Sequence, residues 1–352
     1  MSIEAAYVGN RGVWQEARGM VRLNAISPAR LTALGLDLTV PATRTLLTSQ
    51  IGSATAMAAG YKLPYPGYPT NAIVAQTLRP FPQFNDNLAA WFSPLGNSWY
   101  DSLQVKFLRR FSRGLDLSSS FTFQKELCQG STGCAGVYNP FDRKSNRGLM
   151  PSSRPFIWVT AFTYETPKVT SNRWVQLLTG RWMWGGLLRY ASGSLISAPA
   201  SRNNLSTYDF NTGTLFNRVP GAPVFLKDPN CGCIDPNGKD LILNPAAWVD
   251  APVGTWGQGS VYYNDYRWQH QISESMNFGR QFRIREQISF NIRVELFNVF
   301  NRKSLSTPSS SNPLATPTFN SFGNPTGGFG YITNTPGMAG SRNGQLVARI
   351  QF

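Results

Sequence analysis

The sequence is short of charge, of histidine and of long apolar runs, and each shortage disfavours a class of protein. Charged residues make up 14% of the 352 residues, against about 25% in an ordinary soluble domain. No window approaches the roughly 20 uninterrupted apolar residues that a membrane-spanning helix requires. His270 is the only histidine, so chemistry that needs a histidine beside a nucleophile or carboxylate has little support. The sequence excludes a helical membrane protein and predicts that the chain is not an enzyme.

Acidic residues are also scarce, since 33 Lys and Arg outweigh 18 Asp and Glu and give a formal charge of +15. Clustered cations would suit a phosphate backbone, but these are scattered. The densest runs are Arg109 and Arg110 with Arg113, and Arg280 to Arg285, and no recognition-helix, zinc-finger or RNP-like pattern surrounds them. We therefore expect no nucleic-acid partner, and anionic lipid headgroups or lipopolysaccharide as the counter-charge.

Cysteine is limited to four residues in two close pairs, Cys128 with Cys134 and Cys231 with Cys233. The spacings match no zinc pattern and the single histidine is remote, so no metal or cofactor is predicted. Each pair lies in a Gly-rich polar segment. Local loop disulfides in an oxidising compartment are the preferred interpretation, and unpaired loop thiols are the alternative.

Aromatic residues reach 13%, with 32 Gly and 24 Pro, a mixture typical of all-β proteins. The clearest pattern has period two and begins at Ile288. Its apolar positions are Ile288, Phe290, Ile292, Val294 and Leu296, and its polar positions are Gln287, Ser289, Asn291, Arg293 and Glu295. The last segment repeats it, with Leu346, Ala348, Ile350 and Phe352 opposite Gln345, Arg349 and Gln351. Both segments are therefore predicted to be strands with one apolar and one wet face.

Length separates these strands from ordinary ones, because the alternation lasts about ten residues, which a tilted strand needs to cross a bilayer. We predict nine strands. Besides the two above they are Ala5–Val8, Trp14–Leu23 and the segments that carry Leu103 to Phe107, Leu115 to Gln124, Phe156 to Tyr164, Trp182 to Tyr190 and Trp268 to Phe278.

The predicted connections fall into two classes that alternate along the chain. Short ones occur at Gly9–Gly12, Ser112–Gly114, Thr166–Asn172 and Gly279–Gln281, and long ones at Asn24–Ser98, Cys128–Arg154, Ser192–Asp265 and Asn301–Ser341. An outer-membrane barrel has short periplasmic turns at one rim and long extracellular loops at the other. The sequence therefore predicts an all-β, antiparallel transmembrane β-barrel whose chain ends at the periplasmic rim. A soluble β-sandwich, which also alternates apolar and polar residues, is the alternative.

Several motifs resemble one family. They are Ala6–Gly12, Leu78–Gln83, Asn97–Lys106, Gly114–Lys125, Asn139–Asp142 with Arg147 and Gly148, and Arg293–Asn301 before a terminal strand that ends in Phe. In this order they resemble the C-terminal barrel portion of TonB-dependent outer-membrane receptors, especially the Oar-like group. The resemblance spans nearly the whole chain and implies a bacterial outer-membrane location.

Members of the family that this chain resembles have parts that are not evident in this sequence. Such transporters carry an N-terminal plug, gripped by TonB, inside a barrel of about 22 strands. Neither a plug nor a secretory signal is evident, so we expect residues 1–352 to be a partial barrel domain, about nine strands of a larger one, that meets TonB only through a plug it lacks. By the same resemblance, Phe352 belongs to the signal that the barrel-assembly machinery recognises.

The expected function is uptake of a scarce solute, such as a siderophore or an oligosaccharide, and the alternative is a passive porin or an adhesin-type barrel. Seven residues are predicted to face a wet lumen: Gln287, Asn291, Arg293, Glu295, Gln345, Arg349 and Gln351. Lining that lumen is their expected role, not specific binding. The aromatic segment with Tyr61, Tyr65 and Tyr68 is a weak candidate for a ligand loop, and packing of the loop is its alternative role.

Overall fold

The computed structural model describes residues 1–90, 92–112, 114–131, 133–167, 175, 180–209, 213–235, 237–284, 288–333 and 341–352. One antiparallel sheet dominates it, which confirms the all-β prediction. Its long strands are β1 (Ser2–Gln15), β2 (Gly96–Ser112), β3 (Leu115–Gln129), β5 (Phe156–Glu165), β6 (Trp182–Ala191), β9 (Gln271–Arg283), β10 (Ser289–Phe297) and β13 (Asn343–Gln351), and the short β4 (Arg147–Leu149) pairs with β3.

Sheet order follows chain order, β1-β2-β3-β5-β6-β9-β10-β13, so each long strand pairs with the next one along the chain. Among the described residues, β1 pairs only with β2 and β13 only with β10. Both edges are therefore open, and the described part of the chain does not close into a barrel. None of the helices within the described ranges has the length and apolarity to cross a bilayer.

The remaining elements are short and lie in the long connections. The strands are β7 (Asn217–Arg218), β8 (Trp248–Val249), β11 (Thr318–Phe319) and β12 (Pro325–Gly327). The helices are α1 (Pro28–Ala33), α2 (Pro41–Thr48), α3 (Ala54–Ala58), α4 (Val74–Thr77) and α5 (Leu205–Asp209), with 3-10 turns at Lys144–Asn146 and Pro245–Ala247.

The predicted second strand, Trp14–Leu23, is wrong, and so is the turn at Gly9–Gly12. β1 continues through both glycines to Gln15. A Cβ at Gly12 would lie 2.5 Å from Ser98 Oγ on β2, so this glycine permits close approach of a neighbouring strand instead of a turn. The turn at Gly279–Gln281 is wrong for a related reason, because β9 continues through it to Arg283.

The alternation of connections survives these corrections. Long connections cover residues 16–95, 130–155, 192–270 and 298–342, and shorter ones cover 113–114, 166–181 and 284–288. Consecutive strands are antiparallel, so all the long connections join strands at the same end of the sheet, which we call the long-loop rim. The shorter connections join strands at the opposite end, the short-turn rim. Phe352 follows β13 directly and so lies at the short-turn rim.

Strand register divides the sheet into two chemically different faces, because directly paired residues share a face. Val294 pairs with Phe278 and Leu346, and Phe121 pairs with Val105 and Trp158. Across all eight long strands these pairs form one apolar face. Its members include Ile3, Ala5, Tyr7, Leu103, Val105, Phe107, Leu115, Leu117, Phe121, Phe123, Phe156, Trp158, Phe162, Tyr164, Trp184, Leu188, Ile272, Met276, Phe278, Phe290, Ile292, Val294, Leu296, Leu346, Ala348 and Ile350.

The long connections pack into a cap with its own apolar cores. One core joins the third and fourth long connections around Phe216, Ile242, Tyr266 and Ile332. Another joins the helices α1 to α4 and includes Leu205 of α5. Burial of these side chains holds the connections in a fixed arrangement above the long-loop rim.

Substituting Gly279 is expected to disturb the pairing of β9 with β10. A Cβ at Gly279 would lie 2.7 Å from the Ile292 carbonyl oxygen. This oxygen belongs to the backbone of β10, so the clash can be relieved only if β9 and β10 move apart. We expect Gly279→Ala to lower the free energy of unfolding by about 1–3 kcal/mol. Chemical denaturation of the folded protein in detergent measures the change. Gly213→Ala is the matched control, since nothing lies within 4 Å of a Cβ there, and equal losses in the two variants would contradict this account.

Candidate membrane face and ligand cleft

Side chains of the apolar face are exposed at the surface of the sheet. Leu103 is 48% exposed, Phe123 58%, Trp184 49% and Leu346 68%, on strands that span the sheet. Soluble monomers rarely expose contiguous apolar patches beyond a few hundred Å². A face of eight long strands exceeds that, so its natural solvent is apolar.

Polar atoms near the middle of β3 and β5 on the apolar face pair with one another. Ser119 pairs with Thr160 across β3 and β5, and their hydroxyl oxygens lie 2.8 Å apart. The indole N–H of Trp158 donates to Ser119 Oγ at 2.8 Å. Such internal pairing is what lipid surroundings demand, because an unpaired polar group costs several kcal/mol there.

The opposite face is polar and concave. A hollow of about 810 Å³ is lined by residues of five strands, among them Asp116, Ser118, Ser275, Asn277 and Glu295. Six of the predicted lumen residues lie on this face: Asn291, Arg293, Glu295, Gln345, Arg349 and Gln351. Gln287 lies outside the described residues.

Glu295 is the centre of a small polar network on this concave face. Arg293 Nε lies 2.7 Å from Glu295 Oε1, and Gln345 Nε2 donates to Glu295 Oε2 at 2.5 Å. These contacts join neighbouring positions of β10 and β13. Such a network of charged and amide groups is typical of a wall that faces water.

Five aromatic residues near the ends of the predicted strands, Tyr100, Phe111, Trp182, Tyr190 and Trp268, would suit the interfacial girdles of a barrel, and the structure places them differently from one another. Trp182 and Tyr190 lie on the apolar face at opposite ends of β6, as expected. Tyr100 lies on the polar face and donates to Gln124 Oε1 at 2.9 Å. Trp268 precedes β9 and is buried in the cap, where its indole N–H donates to the Leu305 carbonyl at 2.7 Å. These last two are therefore wrong as interfacial residues, and the side chain of Phe111 lies outside the described residues.

A buried carboxylate fastens the fourth long connection to the sheet. Glu274 of β9 has a side chain only 1% exposed, although it shares a face with Met276 and Phe278. It accepts a hydrogen bond from Tyr190 Oη at 2.7 Å and from Arg302 Nε at 2.6 Å. The same hydrogen bond raises the pKa of Arg302 above its ordinary value.

Removing the arginine is expected to release that connection. Arg302→Ala leaves Glu274 desolvated without its cation, and we expect a loss of about 1–3 kcal/mol in the free energy of unfolding. Limited proteolysis of residues 298–342 provides a local measurement. Lys303→Ala removes a neighbouring charge that forms no ion pair in the described part of the chain. If both variants are cleaved at the wild-type rate, Arg302 does not hold the connection.

Both cysteine pairs are joined in the structure. Cys128 is bonded to Cys134, with Cα atoms 5.9 Å apart, and Cys231 is bonded to Cys233, with Cα atoms 5.2 Å apart. The first pair ties the end of β3 to the second long connection. It thereby borders a partly enclosed cleft of the cap.

That cleft lies between the second and third long connections, and it has about 530 Å³ of space free of protein atoms, part of which is open to solvent. Tyr138, Trp256, Tyr262 and Arg147 line it together with the first disulfide and several glycines. Burial raises the pKa of the Tyr138 phenol, and the nearby Tyr262 raises it further. Aromatic rings beside a guanidinium suit a solute that combines flat apolar surfaces with hydroxyl or acidic groups.

Sequence reasoning singled out a different aromatic group as the ligand loop. Tyr68 is 4% exposed and belongs to the helical core of the cap, and its hydroxyl donates to the Pro82 carbonyl at 3.3 Å. Tyr61 is partly buried against the same core, and only Tyr65 is exposed. Their contacts are those of packing residues, and a ligand role for them stays an untested prediction. The cleft residues were missed because they lie far apart in sequence, although the Asn139–Asp142 motif borders them.

Comparison with known proteins bears on the whole chain. A family model described as an outer membrane beta barrel domain matches residues 1–345. Among curated proteins no match was found. In the described part of the chain, His, Cys, Asp and Glu side chains form no group of three that could hold a metal ion.

Proposed function

Since this chain belongs to the family of outer membrane beta barrel domains, we propose that it is the C-terminal part of a TonB-dependent transporter of the Oar-like group. Its location is the bacterial outer membrane. The solute is scarce, of the siderophore or oligosaccharide kind, and the long connections face outward to meet it. The chain acts by binding and passage, without catalysis or a cofactor, and it meets TonB only through a plug.

Open edges of the sheet support a wider barrel. β1 and β13 have unpaired backbone groups within the described residues, and such groups are costly in lipid. An eight-stranded barrel is just wide enough to be filled by side chains, whereas this polar face carries a hollow that is open to solvent and is lined by residues of five strands. Further strands between the two edges would satisfy both requirements.

The cleft beside the first disulfide is the observation that carries the uptake function. It offers Tyr138, Trp256 and Tyr262 as flat surfaces and Arg147 as a cation, inside a cap held by two apolar cores. A passive pore needs no such ordered cap over its mouth. An adhesin also needs an ordered outer surface, so the cap is equally compatible with the adhesin alternative.

Electrical conductance of the intact gene product separates a transporter from a porin. We expect the protein, expressed from the full reading frame that contains this chain, to show no steady conductance in a planar bilayer in KCl, because a plug fills the lumen. A stable open channel from the intact protein would contradict the transporter and favour the porin. Codons upstream of Met1 that encode a plug and a TonB-gripped segment would agree with the first result.

Assembly is proposed to begin at Phe352. This residue is 95% exposed at the end of an edge strand, a position open to the barrel-assembly machinery. The resemblance to the receptor family supports this role. Deleting Phe352 is expected to lower the amount of folded protein in the outer membrane without changing its synthesis.

A further inference from the structure

A small cluster of cations lies where the apolar face ends at the long-loop rim. One apolar row near this rim is formed by Tyr7, Leu103 and Phe123, which pair with one another across β1, β2 and β3. Two residues further along β3, roughly 7 Å of strand beyond that row, comes Lys125, and beyond it Leu127 pairs with Trp99 and Leu149 in the outermost row of the apolar band. Lys125 pairs with Asp101 and lies on the same face as the band.

The next row toward the rim is built around an indole ring. Trp99 pairs with Arg11 of β1, and the Arg11 guanidinium carbon lies 5.9 Å from the ring centroid. Arg147 of β4 lies closer, with its guanidinium carbon 4.4 Å from that centroid. Cation–π attraction favours this placement of both guanidinium groups beside the ring, and their N–H donors can bind an anion.

These cations outnumber the one carboxylate that is paired with them in the strand register, that of Asp101 opposite Lys125. Arg11, Lys125 and Arg147 are exposed and form no salt bridge in the described part of the protein. The Asp101 carboxylate accepts a hydrogen bond from Tyr7 Oη at 2.5 Å. The surface therefore has an excess of positive charge at the outer end of an apolar band.

We propose that Arg11, Lys125 and Arg147, gathered around Trp99, form a binding site for the phosphate groups of lipopolysaccharide. The acyl chains of this lipid would lie along Leu103 and Phe123, which sets its phosphates at the height of the cations. Lipopolysaccharide is the occupant because the cluster lies at the long-loop rim, in the outer leaflet. The site rests on the outward orientation of the long connections and is independent of transport.

Binding of purified lipid A to the folded chain in detergent tests the site. Native mass spectrometry would compare lipid A carrying both phosphates, lipid A stripped of both, and phosphatidylglycerol. We expect the first to bind at least about tenfold tighter than either of the others, since charge-assisted hydrogen bonds to phosphate carry the difference. Equal binding of stripped lipid A would overturn the site. Equal binding of phosphatidylglycerol would overturn lipopolysaccharide as its occupant.

A double variant assigns the binding to these residues. Arg11→Gln with Lys125→Gln is expected to lower affinity for lipid A about tenfold or more, and Arg147 is left unchanged because it also lines the cleft. Lys62→Gln with Arg202→Gln is the control, since both are exposed cations of the long connections and the charge change is the same. Wild-type affinity in the first pair, or an equal loss in both pairs, would show that the cluster is not the site.

Discussion

Arginine at Val105 is expected to destabilise the membrane-embedded sheet, whereas arginine at Gln104, one residue away, is not. Val105 lies within the apolar face between Ala5 and Phe121. Gln104 lies on the polar face between Ala6 and Thr122. A cation on the lipid-facing side near the middle of a bilayer costs about 2–4 kcal/mol, while one in a wet lumen costs little.

The pair of variants is a direct test of which face meets lipid. Free energies of unfolding in lipid vesicles, measured by urea denaturation, would give the difference, and the amount of folded protein in outer membranes would give a cellular measure. Both variants add the same charge to the same strand, so the change in net charge cancels. The difference in strand propensity between Val and Gln is at most about 1 kcal/mol, which is smaller than the expected effect. If Gln104→Arg proved the more harmful of the two, the assignment of the faces would be reversed.

Arg79→Leu is expected to unfold the first long connection while the sheet remains intact. Arg79 is 3% exposed, and burial lowers its pKa below the ordinary value for arginine. Its guanidinium donates to the Asn24 carbonyl at 2.8 Å, to the Asp86 carbonyl at 2.9 Å and to Asn87 Oδ1 at 2.7 Å. Leucine leaves the buried Asn24 carbonyl unpaired, at about 1–3 kcal/mol. It also removes one donor from the half-buried Asn87 Oδ1 and one from the Asp86 carbonyl, which keeps its hydrogen bond from Asn24 Nδ2.

Limited proteolysis within residues 16–95 is the appropriate measurement, because the expected change is local. Arg79→Leu should increase the cleavage rate there at least about tenfold, which corresponds to roughly 1.4 kcal/mol of local stability. Arg30→Ala is the control, since Arg30 is an exposed cation of α1 in the same connection. A connection that resists protease equally in both variants would mean that the buried arginine is dispensable.

The contacts of Arg79 are an example of what the sequence alone does not predict. Leu78–Gln83 stands out as a motif, yet nothing in it indicates that Arg79 donates to the Asn24 carbonyl, 55 residues away. Cleft residues such as Tyr138 and Tyr262 were missed for the same reason. Loops lack the periodic spacing of apolar residues by which strands are predicted from sequence, because the shape of a loop is set by contacts between distant segments.

Strand boundaries were misjudged where glycine was taken as a sign of a turn. Gly12 and Gly279 lie inside strands, because their missing side chains make room for Ser98 and for the backbone of β10. A glycine that permits close approach and a glycine that permits a turn look alike in one dimension. The two kinds of glycine can be distinguished only when the neighbouring strand is known, and the tertiary structure determines which strand that is.

By itself the sequence determined the all-β class, the period-two faces and the alternation of long and short connections, because these depend on local spacing between apolar and polar residues. Tertiary structure decided which residues share a row, how the connections pack into a cap, and that Arg11, Trp99 and Arg147 meet at one rim. Those features join segments far apart in the chain. Their free energy comes from burial and hydrogen bonding between segments, which no local pattern encodes.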